Sequence, residues 1–148
     1  MIKIDKKVIL DLLAKAAENP RLRQNYDLRT TPEDNSQRML NALLPGTKVP
    51  IHRHPNSREN VFLLQGKIIE VLYEEDKLGE SFERGMDAQD VMNGKRLRET
   101  ARIVLNPSAG SFGCIVPAGT WHTVEVLEPS VIYEATDGKY GEDGSEVF

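Results

Sequence analysis

The sequence is poor in several things, and each scarcity excludes something. A single cysteine, Cys114, stands among 148 residues, so no internal disulfide can staple the fold, and a reducing, cytoplasmic setting is expected. No apolar run approaches the ~20 residues needed to cross a bilayer. Near the N-terminus Lys3, Asp5, Lys6 and Lys7 interrupt the stretch where a secretion signal needs an unbroken apolar core. No membrane insertion is therefore expected. A basic excess is also missing: 19 Lys+Arg against 23 Asp+Glu leave a net charge of -4, which argues against a nucleic-acid partner held through phosphates. Histidine is as sparse, and His52, His54 and His122 are the whole complement. The chain has no internal repeat, and its 39% apolar content suits one core.

What is present divides into a helix and a long β-rich remainder. Asp5 is a plausible N-cap, and Val8, Ile9, Leu12, Leu13, Ala16 and Ala17 repeat on one stripe at helical spacing. Pro20 ends that pattern, because the residue before a proline is pushed out of the α region. Residues 20–36 read as a polar loop with room for one short extended piece. From Gln37 short apolar runs alternate with turn signals: 37–44, 48–54, 59–65, 67–73, 102–105, 111–116, 121–127 and 131–135, punctuated by Pro45-Gly46, Gly66, Asn106-Pro107, Pro117 to Gly119 and Glu128-Pro129. Such spacing predicts an antiparallel sandwich or barrel. The division expected is a single domain over 1–148, with helix and connecting loop in 1–36, the barrel in 37–136 and a weakly packed Gly-rich, acidic tail in 137–148. Residues 79–101 are the least readable, and Asp87 to Asn93 suit either a helical turn or an excursion between strands.

The histidines carry the chemistry. In His52-Arg53-His54 the two imidazoles are alternate residues, which a strand points to one face. Glu59 follows across Pro55-Asn56-Ser57-Arg58, a segment of turn formers that can return the next strand beside them. His122 comes from a distant segment, directly after the turn at Pro117-Ala118-Gly119. Three neutral imidazoles and one carboxylate are a ligand set for one divalent transition metal. Zinc, iron, manganese, nickel and cobalt all suit it, and open positions would remain for substrate.

Read straight through, Gly46, His52, His54, Glu59 and Gly66 give G-x5-H-x-H-x4-E-x6-G, and Pro117, Gly119 and His122 give P-x-G-x2-H. These resemble the paired motifs of the cupin superfamily. The resemblance implies a small antiparallel β-barrel (a double-stranded β-helix, jelly-roll-like) whose metal ligands are His52, His54, Glu59 and His122. Ser111 and Val126 stand where the second motif often has Gly and Asn, and neither position is a ligand. Asn19-Pro20-Arg21, Gln37 to Leu43, His52 to Pro55, Pro117 to His122, and Glu134 with Gly138-Lys139-Tyr140 extend the likeness over nearly the whole chain. Together they resemble the WbuC family of cupin-fold metalloproteins, members of which occur in lipopolysaccharide O-antigen gene clusters. That resemblance implies a cytoplasmic protein, with nucleotide-sugar or sugar-phosphate chemistry, in cell-surface polysaccharide biosynthesis.

Other residues support two readings each. Arg53 alternates with the histidines and should point away from them, in a salt bridge or sheet packing. On the 37–44 strand either Arg38 or the Gln37/Asn41 pair faces inward. An inward Arg38 would need an anion, such as a phosphate or carboxylate on a substrate. Arg58 beside Glu59 can reach the cavity mouth or stay solvated. Arg38, Asn41 and Arg58 are thus the candidate substrate-binding residues. Glu134 is the candidate acid/base, with a supporting or sheet-surface role as the alternative. Cys114 reads as a small buried hydrophobe, Trp121 as a packing residue on the face opposite His122, and Tyr26, Tyr73, Tyr133 and Tyr140 carry no spacing signal. Three functions fit: a Lewis-acid isomerase or epimerase of a small oxygenated substrate, an iron-dependent dioxygenase, or a non-catalytic sugar-binding or regulatory protein. A homodimer through a strand or the helix is the expected assembly.

Overall fold

Asp5 caps the helix as its sequence position suggests, its side chain accepting hydrogen bonds from the backbone N–H of Lys7 and Val8. The helix, α1 (Lys6–Glu18), ends at Asn19 in an extended conformation just before Pro20. Ile9, Leu12 and Ala16 form its buried stripe and pack on Leu40, Ala42 and Val131. The structure, a computed structural model, describes residues 1–77, 91–92, 95–139 and 141–148. The readings of 79–90, of 93–94 and of Tyr140 lie outside the described residues.

The remaining elements are strands: β1 (Arg23–Asp27), β2 (Ser36–Leu43), β3 (His52–Arg53), β4 (Glu59–Lys77), β5 (Val91–Met92), β6 (Lys95–Leu105), β7 (Gly113–Val116), β8 (Trp121–Asp137) and β9 (Glu146–Val147). A 3-10 turn, Pro107–Ala109, lies between β6 and β7. All pairings are antiparallel, in the order β1-β2-β8-β4-β6-β5, with β7 on β4, and β3 joining β8 to β9. No helix among the described residues is long and apolar enough to cross a membrane.

Two breaks expected from the sequence are bends instead. Gly66 does not end a strand: β4 passes through it, and β8 passes through Glu128-Pro129-Ser130. The register of β4 on β8 slips between Leu63 and Ile68, so the two bends face each other. Gly66 has φ +98°, and a Cβ there would collide with the Pro129 carbonyl oxygen and with Ser130 Oγ, so only glycine fits the crossing. Ser130 Oγ accepts from Lys67 N at 3.1 Å, tying bend to bend. Past the bends the partners change. The first half of β4 lies between β7 and the second half of β8, and its second half lies between β6 and the first half of β8. Each long strand thus serves both walls of one barrel. Leu43, Val61, Leu63, Ile68, Leu105 and Ile132 fill the apolar part of its interior.

The short extended piece expected within residues 20–36 is a strand, β1, paired with β2 over five residues. Two further expectations are corrected. The strand expected at 102–105 begins at Lys95. The tail packs: β9 pairs with β3, Phe148 N donates to Ile51 O, and the Phe148 ring stands edge-on to Trp121.

Candidate metal centre

His52 lies on β3 directly opposite His122 on β8, so pairing alone puts both imidazoles on one face. His54 follows β3, and its carbonyl accepts from Gly119 N at 2.9 Å, which ties the first histidine motif to the Pro117–Gly119 turn of the second. Glu59 opens β4 and is buried, as is His122. One donor atom from each of His52, His54, Glu59 and His122 lies within 4.8 Å of all the others, and this cluster could hold a metal ion. The imidazole centroids are 4.3 Å apart for His52 and His122, 5.3 Å for His52 and His54, and 5.9 Å for His54 and His122.

The donor set is oriented as a metal would need. His52 Nδ1 donates to the Pro50 carbonyl at 2.9 Å and His122 Nδ1 to the Thr120 carbonyl at 3.0 Å. His54 Nδ1 faces the Asp143 carboxylate at 3.1 Å, with Ser145 Oγ at 3.0 Å. With Nδ1 engaged, each ring turns Nε2 toward the other donors, the orientation that outer partners give ligand histidines. His54 Nε2 is buried with no hydrogen-bond partner among the described residues. Such orphans are rare in folded proteins and call for a physical reason. A cation among the four donors supplies one.

Electrostatics agree. Burial opposes charge on Glu59, but the His122 hydrogen bond and the surrounding imidazoles outweigh it and hold the carboxylate below its ordinary range. Glu59 Oε2 and His122 Nε2 are 2.6 Å apart. Burial of His122 disfavours its imidazolium, but Glu59 and the Thr120 carbonyl outweigh that and raise its pKa. His52 is shifted down, first by burial and then by His122. Burial likewise works against the Asp143 carboxylate, yet Ser145 and His54 keep it below its ordinary value.

These side chains open on a cavity of about 500 Å³, within the range of small-molecule sites. Glu134 lines it, and its carboxyl is pushed well up by burial and by the adjacent Glu59 carboxylate. The Asn41 amide donates to Glu134 Oε1. The alternation on β2 resolves in favour of Gln37, Met39 and Asn41, which line the cavity. Arg38 is not among the lining residues; it shares the strand face of Leu40 and Ala42 under the helix and pairs with Asp34 at 2.6 Å. Arg58 is exposed and lines a separate depression with Asn56 and Asp137. Arg53 points away from the histidines, pairing with Glu75 and Glu146 above the Trp121 ring. Burial, with Glu70 and Glu59 nearby, pushes the Cys114 thiol up to about 12, so it is no nucleophile.

Two residues of interest escape a reading of the sequence. Asp143, which orients His54 and accepts from Gln37 Nε2 at 3.1 Å, sits in a tail with no periodic signal. Glu70 interrupts the apolar run KIIEVLY on the inward parity of Ile68; that parity is the one available clue. It is fully buried, and both its carboxylate oxygens lack a hydrogen-bond partner among the described residues.

The antiparallel barrel and the cluster on its inner wall define a class: a cupin β-barrel with a His/Glu group that could bind a metal. The chain is similar to TT1209 from Thermus thermophilus, at 19% identity over 93% of this chain and 98% of that one, with a TM-score of 0.52. It is similar to oxalate oxidase in complex with the substrate analogue glycolate, at 14% identity over 87% of this chain and 56% of that one, with a TM-score of 0.52. It is also similar to a chain from the crystal structures of the DMSP lyases RdDddP and RnDddQII, at 14% identity over 86% and 53% of the two chains, with a TM-score of 0.55. These likenesses concern the fold, and the chain spans little more than half the length of the last two. No curated protein sequence matches it. Residues 4–82 match a family described as a domain of unknown function, DUF6016, and the chain belongs to that family.

Proposed function

We propose that the protein is a metal-dependent cupin enzyme whose ligands are His52, His54, Glu59 and His122, and that it isomerises or epimerises a small oxygenated substrate such as a sugar phosphate or nucleotide sugar. The observation that carries this reading is the buried, unpartnered Nε2 of His54 aimed among three other donors. A divalent ion held there supplies Lewis acidity toward a carbonyl or hydroxyl pair. The rest falls to the chain's own groups. Glu134, whose carboxyl is shifted up by burial and by Glu59, takes a proton from a substrate carbon and returns it to the neighbouring carbon, while the proton on one of the two substrate oxygens passes to the other. Asn41 fixes the Glu134 carboxyl in orientation. Asp143 and Gln37 hold His54 in place. The WbuC likeness supports a role in cell-surface polysaccharide biosynthesis, in the cytoplasm, within one domain spanning residues 1–148. Exposed Phe62, Leu64 and Ile115, on one outer face of β4 and β7, support pairing of two copies there.

The test is incubation of the zinc-, manganese- or iron-loaded protein with sugar phosphates and nucleotide sugars in D2O. Deuterium is expected to enter a carbon-bound position of one substrate, and Glu134→Gln to slow that entry by about 100-fold or more. Oxygen uptake with the iron form would instead identify a dioxygenase. Saturable binding without turnover for any metal would leave a sugar-binding module.

A further inference from the structure

The cavity carries two cationic side chains that its metal-side residues do not engage. Its carboxylates all have partners: Glu59 with His122, Glu134 with Asn41, and Asp143 with Gln37, His54 and Ser145. Two arginines, Arg21 and Arg23, also line it, and neither side chain has a hydrogen bond or ion pair among the described residues. Arg21 is exposed and Arg23 half-buried; Arg29, Arg38, Arg53, Arg98 and Arg102, by contrast, each sit against a carboxylate. A guanidinium is a rigid fork built for carboxylate or phosphate oxygens, and these two face a cavity instead.

The backbone between them is held in place at a cost. Leu22 has φ 55°, a left-handed conformation that a branched apolar residue adopts only when its surroundings impose it. Here they do. Leu22 N donates to Asn19 O at 2.8 Å, and Leu22 O accepts from Leu44 N at 3.0 Å. Arg21 N donates to Asn19 Oδ1 at 2.9 Å, and Arg21 O accepts from Thr47 Oγ1 at 2.7 Å. The strain therefore fixes the Arg21-Leu22-Arg23 corner rather than loosening it. Beyond the corner, Arg23 lies opposite Leu43, and Asn25 opposite Asn41, on the strand faces that line the cavity. The second arginine is thus two strand residues from the amide that holds Glu134.

From this geometry we infer that Arg21 and Arg23 form an anion clamp at the cavity mouth, gripping a phosphate or carboxylate carried by the substrate while its hydroxyl-bearing end reaches the His/Glu cluster. The inference rests on the proposed function in taking this cavity as the substrate site. It assigns the grip on the substrate's anionic group to two residues outside the metal cluster.

The test uses three sugars that differ in charge: glucose, glucose 6-phosphate and gluconate. Each is titrated into the full-length zinc-loaded protein, with binding followed by calorimetry and by the shift in melting temperature. At least one anionic sugar is expected to bind saturably and glucose not at all; which of the two binds tells phosphate from carboxylate. Arg21→Gln/Arg23→Gln should weaken that binding at least tenfold, and Arg21→Lys/Arg23→Lys less, since lysine keeps the charge but loses the fork. Both double variants should keep the parent's unliganded melting temperature and zinc content, because neither side chain has a partner to lose. No binding of either anionic sugar, equal binding of glucose, or undiminished affinity in the glutamine variant overturns the clamp. A protein that takes up zinc normally while failing these tests loses the clamp alone. A protein that takes up no zinc, manganese or iron loses the metal reading instead.

Discussion

The two faces of β2 follow different rules, and the difference organises the molecule. On one face Leu40 and Ala42 meet Ile9, Leu12 and Ala16 of the helix, an apolar seam. On the other, Gln37, Met39 and Asn41 line the cavity beside Glu134 and the histidines. The apolar seam is stabilised by area removed from water, and its residues need only fit. The cavity face is stabilised by pairing: Gln37 reaches Asp143 and Asn41 reaches Glu134, as buried polar groups must. The same contrast divides the barrel interior, with the donors around the cavity and Leu63, Ile68 and Leu105 in an apolar cluster. Three side chains among the described residues break the pattern with unpartnered atoms: His54, Glu70 and Thr136, the last on the cavity wall. His54 Nε2 sits among other donors and makes sense as a ligand. Glu70 is a carboxyl without partners among the described residues, and so belongs to neither rule.

Glu70 gives the largest expected break in that comparison. Burial pushes its pKa up to about 8. Above the ordinary value of 4.5 the unfolded chain releases this proton while the native state keeps it. Stability therefore falls as pH rises toward 8 and levels off above it. For metal-free protein, Glu70→Gln should remove this decline, which by linkage is on the order of 5 kcal/mol, as read from urea unfolding at about pH 4 and about pH 9. Parallel pH profiles for the parent and the variant would mean that Glu70 has a partner after all.

Next come the apolar positions. Ile68→Ala in the barrel should cost roughly 2–5 kcal/mol, and Leu40→Ala under the helix a similar amount, measured by denaturant midpoint. Both should leave zinc stoichiometry intact, and loss of zinc in Leu40→Ala would show that the two faces of β2 are not independent. Asp143→Asn is a smaller effect with the opposite profile. It should weaken zinc affinity about 10–100-fold, measured by competition with a chelator, with little change in the melting temperature of the metal-free protein. The smallest effect belongs to the helix end: Asp5→Ala removes the acceptor for Lys7 and Val8 N–H and should cost about 1 kcal/mol, with no effect on metal.

The sequence announces those features that repeat or that sit at fixed spacing. Helix α1 shows in its apolar stripe and cap, and the four clustered residues show in their motif spacing. Strand boundaries are less legible, because a bend and a turn use the same residues: Gly66 and Pro129 mark corners within β4 and β8 rather than ends. Whether Arg38 or Asn41 faces inward is a question of parity, and parity is set by where the helix packs, a tertiary fact. Asp143 and β9 are invisible for a related reason: the Gly-rich tail gains its order from pairing with His52 and Arg53, far away in sequence. Arg21 and Arg23 look like loop charges until β1 pairs with β2.

The central claim is that His52, His54, Glu59 and His122 hold one divalent ion, and elemental analysis of the purified protein tests it most directly. The account predicts close to one transition-metal ion per chain, falling sharply in His52→Ala while the circular-dichroism spectrum keeps its β signature. An occupancy that is unchanged in His52→Ala, or a parent protein that takes up no ion when loaded with zinc, manganese or iron, would contradict it.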